Sequence, residues 1–129
     1  MKLEDIIDSW EKDGPVDAIN ITNESANTPK LHNKYFKIYM GEGYILRKMK
    51  ADYKKLYKLK TEYYKGELDV TELAQFGWEP QPLKILKQDI PSYLEADDDI
   101  IESSLKIGAQ EQKVGYLESI LKMIGNRGF

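Results

Sequence analysis

The residues best suited to chemistry lie between positions 53 and 66, "YKKLYKLKTEYYKG", where five lysines and four tyrosines accompany a single acid. Lysine side chains bind the phosphates of a nucleic acid, and aromatic rings stack on exposed bases. Proteins that read duplex DNA rely more on arginine forks to base edges, and Arg47 is the one arginine in this region of the sequence. The mixture favours a sequence-tolerant binder of single-stranded nucleic acid.

Helical spacing sorts residues 42–65 into two faces. At about 100° per residue, one face is cationic: it carries Arg47, Lys50, Lys54, Lys58 and Lys65, flanked by Lys48 and Lys55. The opposite face is apolar and rich in tyrosine. Lys60 falls within that apolar face. Either its stem packs on the core while its amine reaches water, or this face is not all core and Lys60 lines a groove or the inner surface of a ring.

The density of cations in this segment indicates an anionic partner. Eight cations against three acids in residues 42–65 repel one another, whereas helices exposed only for solubility mix charges of both signs. The helical faces therefore give these candidate single-stranded DNA contacts: Arg47, Lys54, Lys55, Lys58 and Lys65.

Charge is distributed unevenly along the chain. Residues 1–29 have a net charge of −5, residues 30–65 of +8 and residues 66–129 of −6, within a total of −3. A basic middle between acidic ends suggests a surface that faces a polyanion on a protein otherwise kept from nucleic acid. The alternative is that the three segments neutralise one another within the fold.

Other features argue against an enzyme. The chain has no cysteine and one histidine, His32, which we interpret as a surface helix residue. "GEG" at 41–43 begins a poor match to a nucleotide-binding loop, because its sixth position is Leu46 and no strand pattern precedes it. We therefore expect no cofactor and no metal. The absence of a signal sequence and of long apolar runs predicts a soluble, intracellular protein without membrane contact.

Hydrophobic periodicity predicts helices in the first half of the chain. A short one covers residues 2–12 and stops at "DGP". Asp17 can cap a second one that continues to about Met40, with a break or kink at Pro29. "GEG" is a plausible hinge before the long basic helix, and Gly66 ends that helix.

The second half of the chain is also predicted to be helical. A loop covers about 66–82, a short helix covers 83–89, and the last helix begins at "DDD" (97–99), where Asp99 and Glu102 have capping-box spacing. A core stripe follows at steps of three and four residues: Val114, Leu117, Leu121 and Ile124. The prediction is a single all-α domain over 1–129, with basic, DNA-facing helices at about 17–65 and a C-terminal helical part at about 83–125.

Several motifs resemble the UvsY family, the recombination mediator proteins of T-even-type tailed phages. "KLKTEYYKG" (58–66) resembles a family signature that reads Lys-x-basic-x-acid-Tyr-Tyr-x-Gly. "LEDI…KD" (3–13) resembles the family's start, and "LEADDDII" (94–101) through "NRGF" (126–129) resembles its end. At Lys60 the family motif can carry arginine, and family members continue beyond the position of "NRGF".

This resemblance implies a helical protein that forms a cyclic homo-oligomer and binds single-stranded DNA. Such a protein helps to load a RecA-like phage recombinase onto strands coated by the phage single-strand DNA-binding protein, in the cytoplasm of the infected host cell. By the motif match, Lys58 and Lys60 are its key DNA contacts. The alternative function is a helical adaptor whose basic helix docks an acidic protein partner without binding nucleic acid. A membrane-surface helix is disfavoured, because tyrosine and polar residues dilute the apolar face.

Overall fold

The computed structural model describes residues 1–15, 21–81 and 84–127, and for residues 21–26 it describes the backbone alone. Over these ranges the chain forms five α-helices and no strand, so the predicted all-α class is confirmed. It contains two compact units, Met1–Arg47 with Gly108–Phe129 (unit 1) and Lys48–Ile107 (unit 2).

Helix α1, Leu3–Asp13, matches the first predicted helix. Helix α2, Ile21–Tyr64, is a single helix of 44 residues in which Pro29 is an interior residue. The helix is therefore not broken at Pro29, the kink offered as the alternative stays a prediction, and the cap predicted at Asp17 lies outside the described residues. An interior proline removes one hydrogen bond and costs about 3 kcal/mol. Packing offsets this cost, because Tyr35 is fully buried and Leu31 packs against the same core.

The hinge predicted at "GEG" is also wrong, because α2 continues through residues 41–43. Glu42 is buried, and its backbone carbonyl accepts a hydrogen bond of 2.9 Å from Nε2 of Gln110. Its Oε1 lies 2.9 Å from Nζ of Lys113. These contacts fasten the helix where its two glycines favour flexibility.

Helix α2 ends as predicted at Gly66, which has a φ of 73°. The Gly66 N–H donates to the carbonyl of Tyr63, and the Glu67 N–H donates to that of Glu62; this is the Schellman pattern. The predicted loop at 66–82 contains a further helix, α3, Val70–Phe76. Asp69 caps it, because its Oδ1 accepts from the Glu72 N–H at 2.8 Å.

The predicted helix at 83–89 begins later in the structure. A 3₁₀ turn covers Lys87–Asp89, and α4 covers Ile90–Glu95, with Pro91 in its first turn. Helix α5, Asp98–Gly125, follows at once. Its cap is Asp97, whose Oδ1 accepts from the Ile100 N–H at 3.0 Å, and not Asp99 as the capping-box spacing predicted.

The core of unit 1 joins α1, α2 and the later part of α5. Its fully or almost fully buried side chains are Ile6, Tyr35, Leu117, Ile120 and Ile124. The predicted stripe on the last helix is confirmed for Val114, Leu117 and Ile124, which are buried, and Leu121 packs beside them. His32 is exposed, as predicted.

Unit 2 has a smaller apolar interior and two buried charges. Its buried apolar residues are Leu73, Ile90, Leu94 and Ile100. Lys60 and Asp97 are also buried there. Within the described ranges, no helix combines the length and the apolar composition needed to span a bilayer.

Candidate nucleic-acid interface

Five of the six candidate DNA contacts have exposed side chains on α2. Arg47 belongs to unit 1, and the other four belong to unit 2: Lys54, Lys55, Lys58 and Lys65. None of the ion pairs found among the described residues involves any of these five cations. These five cations thus keep their charge without a close ion pair in the described ranges, whereas Lys34 and Lys60, two other lysines of residues 30–65, pair with acids of the flanking segments.

The tyrosines of the basic run divide into two groups. Tyr63 packs against Trp78 with ring centroids 5.3 Å apart, and Tyr64 packs against Tyr93 at 5.7 Å. The rings of Tyr63 and Tyr64 thus pack against other aromatic rings of unit 2. Tyr53 and Tyr57 form the other group, with ring centroids 6.2 Å apart. Tyr57 is 43% exposed, so part of its ring is accessible to a base.

Lys60 differs from the other candidates, because it is only 6% exposed. Its Nζ lies 3.1 Å from Oδ2 of Asp97 and 2.8 Å from Oδ2 of Asp99. The same amine lies 4.1 Å from the centroid of the Trp78 ring and 5.6 Å from that of Tyr63, within the range of a cation–π interaction. The structure therefore separates Lys60 from Lys58, with which the motif had grouped it as a DNA contact.

Asp97 is the centre of this cluster. It accepts hydrogen bonds from the Tyr64 hydroxyl and from the Ile100 N–H, and it pairs with Lys60. Burial works to raise the pKa of the Asp97 carboxyl, but these three donors outweigh burial and lower it below its usual value. The carboxylate is therefore the stable form at neutral pH.

The partners of Asp97 are affected in the opposite direction. Burial disfavours the charged amine of Lys60, yet the hydrogen bonds and charges of Asp99 and Asp97 outweigh burial and raise its pKa. Burial, together with the hydrogen bond to Asp97, raises the pKa of the Tyr64 hydroxyl. At neutral pH the Asp97 carboxylate thus faces the ammonium of Lys60 and the neutral phenol of Tyr64.

Sequence reasoning missed the acidic and aromatic partners of Lys60. Asp97 and Asp99 were assigned only to helix capping, and Trp78 was placed in a loop. Helical periodicity indicated the apolar surroundings of Lys60, but no local pattern identifies a partner 37 residues further along the chain. In the described ranges, no group of three or more metal-ligating side chains comes together.

The arrangement offers a row of exposed cations, without ion-pair partners in the part of the chain that the structure describes, and an exposed aromatic ring beside them. Lys54 and Lys58 lie one helical turn apart, and Tyr57 lies between them in sequence. Separate ammonium groups can each approach a phosphate while a base stacks on the ring. The geometry fits a flexible anionic strand.

Known proteins are similar to this chain along its whole length. The curated recombination protein uvsY of Enterobacteria phage T4 is 24% identical over 129 residues, which cover all of this chain and 89% of that protein. Two crystal structures of the bacteriophage T4 recombination mediator protein UvsY match the whole chain. Both have a TM-score of 0.84. The first is 22% identical in sequence and is covered over 91% of its chain, and the second is 24% identical and is covered over 89%. These two structures confirm the fold. The model of the family described as "Recombination, repair and ssDNA binding protein UvsY" matches residues 9–129, and this chain therefore belongs to the UvsY family.

Proposed function

We propose that the exposed cations of α2 hold the phosphates of single-stranded DNA without sequence preference. The observation that carries this proposal is that five cations of α2 are exposed, and none of them has an ion-pair partner among the described residues, in a protein of net negative charge. They are Arg47, Lys54, Lys55, Lys58 and Lys65. Membership of the UvsY family supports the same function.

Tyr57 supplies the second component of single-strand binding. Its ring is exposed next to Lys58, and the face of an aromatic ring accepts any base. Lysines bind phosphate as point charges and carry no sequence information. We therefore assign Tyr57, whose side chain is exposed, to base stacking. Tyr63 and Tyr64 are excluded from that role because they are less exposed and pack against Trp78 and Tyr93.

In this proposal the protein is a recombination mediator. It holds a strand coated by the phage single-strand DNA-binding protein and helps a RecA-like phage recombinase to assemble there. The curated relative is named a recombination protein, and the matching crystal structures are of a recombination mediator. We propose that copies of the chain form a ring, which combines several weak strand contacts into tight but reversible binding. Its place of action is the host cytoplasm, where phage DNA recombines.

The binding step can be tested by fluorescence anisotropy of a labelled single-stranded oligonucleotide at several salt concentrations, with duplex DNA as competitor. If one protomer neutralises about five phosphates, log affinity falls with log salt with a slope of about −3.5. Lys54→Ala/Lys58→Ala should reduce that slope by about 1.4, because two contacts are lost.

A matched control removes the same charge elsewhere. Lys106→Ala/Lys122→Ala replaces two exposed lysines of α5, and it should leave the slope unchanged. Equal losses in the two double variants would indicate a general effect of net charge. No binding by the wild type at low salt would contradict the proposal and favour an adaptor for an acidic protein.

The second arm measures the rate at which the recombinase assembles on strands coated by the single-strand DNA-binding protein. The wild-type chain should shorten the lag before assembly, whereas Lys54→Ala/Lys58→Ala should not. Tight strand binding without any effect on the lag would leave a DNA-binding protein and rule out the mediator function.

A further inference from the structure

The charges around Lys60 argue against a direct contact between its amine and DNA. Two carboxylates, Asp97 and Asp99, lie within 3.1 Å of one ammonium group, so the cluster has a net negative charge. A phosphate that approaches it meets repulsion before it meets the lysine. To reach a strand, the amine would also have to leave the ring of Trp78.

The same cluster connects separate parts of unit 2. Lys60 and Tyr64 belong to the last two turns of α2, and Asp97 caps the first turn of α5 through the Ile100 N–H. Trp78 follows α3 and lies beside the amine. The end of α2 is therefore tied to the start of α5 and to the segment after α3.

Two of the proposed strand contacts lie next to Lys60 and Tyr64 in the sequence. Lys58 precedes Lys60 by two residues, and Lys65 follows Tyr64 directly. Both are exposed while Lys60 and Asp97 are buried. The orientation of the exposed cations thus depends on how firmly the end of α2 is held.

We propose that Lys60 and Asp97 form a positioning pair, which holds the end of α2 so that Lys58 and Lys65 meet the strand. Lys60 does not touch DNA in this arrangement. Tyr64, Asp99 and Trp78 complete the pair by hydrogen bonding, charge and ring contact. The inference rests on the proposed function, and it gives Lys60 a role that differs from that of Lys58.

The effect of removing an acid distinguishes positioning from contact. If Lys60 touches the strand, Asp97→Asn frees its charge and strengthens binding. If the pair positions α2, the same change weakens binding even though the protein becomes less acidic. Asparagine keeps the size of the side chain and can still cap α5. Asp98→Asn is the control, because it makes the same change of charge at an exposed neighbour.

We expect Asp97→Asn and Lys60→Met each to weaken single-strand binding by about tenfold, equivalent to about 1.4 kcal/mol. The double variant should be no weaker than either single variant, since both break one unit. Lys60→Arg should retain wild-type affinity, and Asp98→Asn should bind as tightly as the wild type or more tightly. Circular dichroism at the assay temperature verifies that each variant is folded.

A second variant avoids the loss of a buried charge. Tyr64→Phe removes only the hydrogen bond to Asp97. A positioning role predicts that this variant binds single strands more weakly, whereas direct contact by Lys60 predicts an unchanged affinity. Hydrogen exchange should also become faster at the end of α2 and at the start of α5 in Tyr64→Phe and Asp97→Asn. A wild type that binds, together with a stronger Asp97→Asn or an unchanged Tyr64→Phe, overturns this inference alone. A wild type that does not bind overturns the proposed function and the positioning role with it.

Discussion

Asp97 shows how one buried carboxylate can serve two helices. It caps α5 with one oxygen and accepts from Tyr64 and Lys60 with the other. A buried ion pair adds little net stability compared with an apolar pair, but the loss of one partner is costly, because the other charge stays buried. Asp97 is therefore a position where a small change has a large effect.

The lowered pKa of Asp97 leads to a prediction about acid stability. A carboxyl whose pKa is lower in the folded state contributes stability above its unfolded pKa and loses that contribution as the pH falls through the folded value. At neutral pH, the wild type should have a higher melting temperature than Asp97→Asn. This difference should decrease as the pH falls below about 3.8, the ordinary value for an aspartate. Thermal melts followed by circular dichroism over an acid series measure it.

Asp98→Asn is the reference for that series. Asp98 is exposed, so its replacement should change the melting temperature little at any pH. A difference between the wild type and Asp97→Asn that stays constant down to the most acidic sample would contradict the assigned contacts.

For single residues, the sequence predicted correctly which cations are exposed, but it did not predict the partners of the buried Lys60. Lys54, Lys58 and Lys65 share a polar face that helical spacing defines locally, and the structure leaves all three exposed. Lys60 was predicted to lie on the opposite, apolar face, and the structure has it buried. Its pairing with Asp97 depends on the tertiary fold, to which local periodicity is insensitive.

Helix α2 is the element on which the proposed interface depends. It remains helical through Pro29 and residues 41–43, although local propensity predicts interruptions at both. The buried Tyr35 and the contacts of Glu42 with Gln110 supply what propensity lacks. Boundaries that depend on tertiary contacts were thus mispredicted, whereas the end at Gly66, set by local backbone geometry, was predicted correctly.

The continuity of α2 can be tested by exchanging its glycines for alanine. Gly41 is inside the helix, and an added Cβ meets no atom within 4 Å. Gly41→Ala should therefore raise the free energy of unfolding by roughly 0.5–1 kcal/mol. Urea denaturation followed by circular dichroism measures the change.

Gly66→Ala is the matched control at the end of the same helix. Gly66 has a φ of 73°, which costs an L-residue roughly 1–2 kcal/mol, so this change should destabilise the protein. A destabilising Gly41→Ala would instead indicate that residues 41–43 need a bend that alanine disfavours.

For the whole molecule, the charge distribution separates two tasks. The chain has a net charge of −3 although residues 30–65 carry +8. The acidic segments reduce the nonspecific attraction of the protein to polyanions. The exposed cations of α2 still attract a polyanion locally. A mediator needs this balance, because it must hold a strand and then release it to the recombinase. In the proposed ring, weak contacts repeated in several copies would meet both needs.

This reasoning predicts how binding depends on the length of the DNA. In a ring, each additional copy engaged by one strand multiplies the affinity through effective concentration, until the strand spans all copies. Affinity for thymidine oligonucleotides should therefore rise steeply with length and then level off. Anisotropy titrations over a length series measure this, with sedimentation velocity at the same protein concentration to establish the assembly.

Lys58→Ala makes that prediction specific to the interface. Each copy loses one contact, so the loss in affinity should be small on an oligonucleotide that spans one copy and should multiply on one that spans several. Lys106→Ala, a change of an exposed α5 lysine that pairs with Glu102, should cost little at every length. If Lys58→Ala lowers affinity by the same factor at all lengths, a strand engages a single copy. The proposed ring would then contribute nothing to strand binding, and reversible binding of the strand would have to come from one protomer.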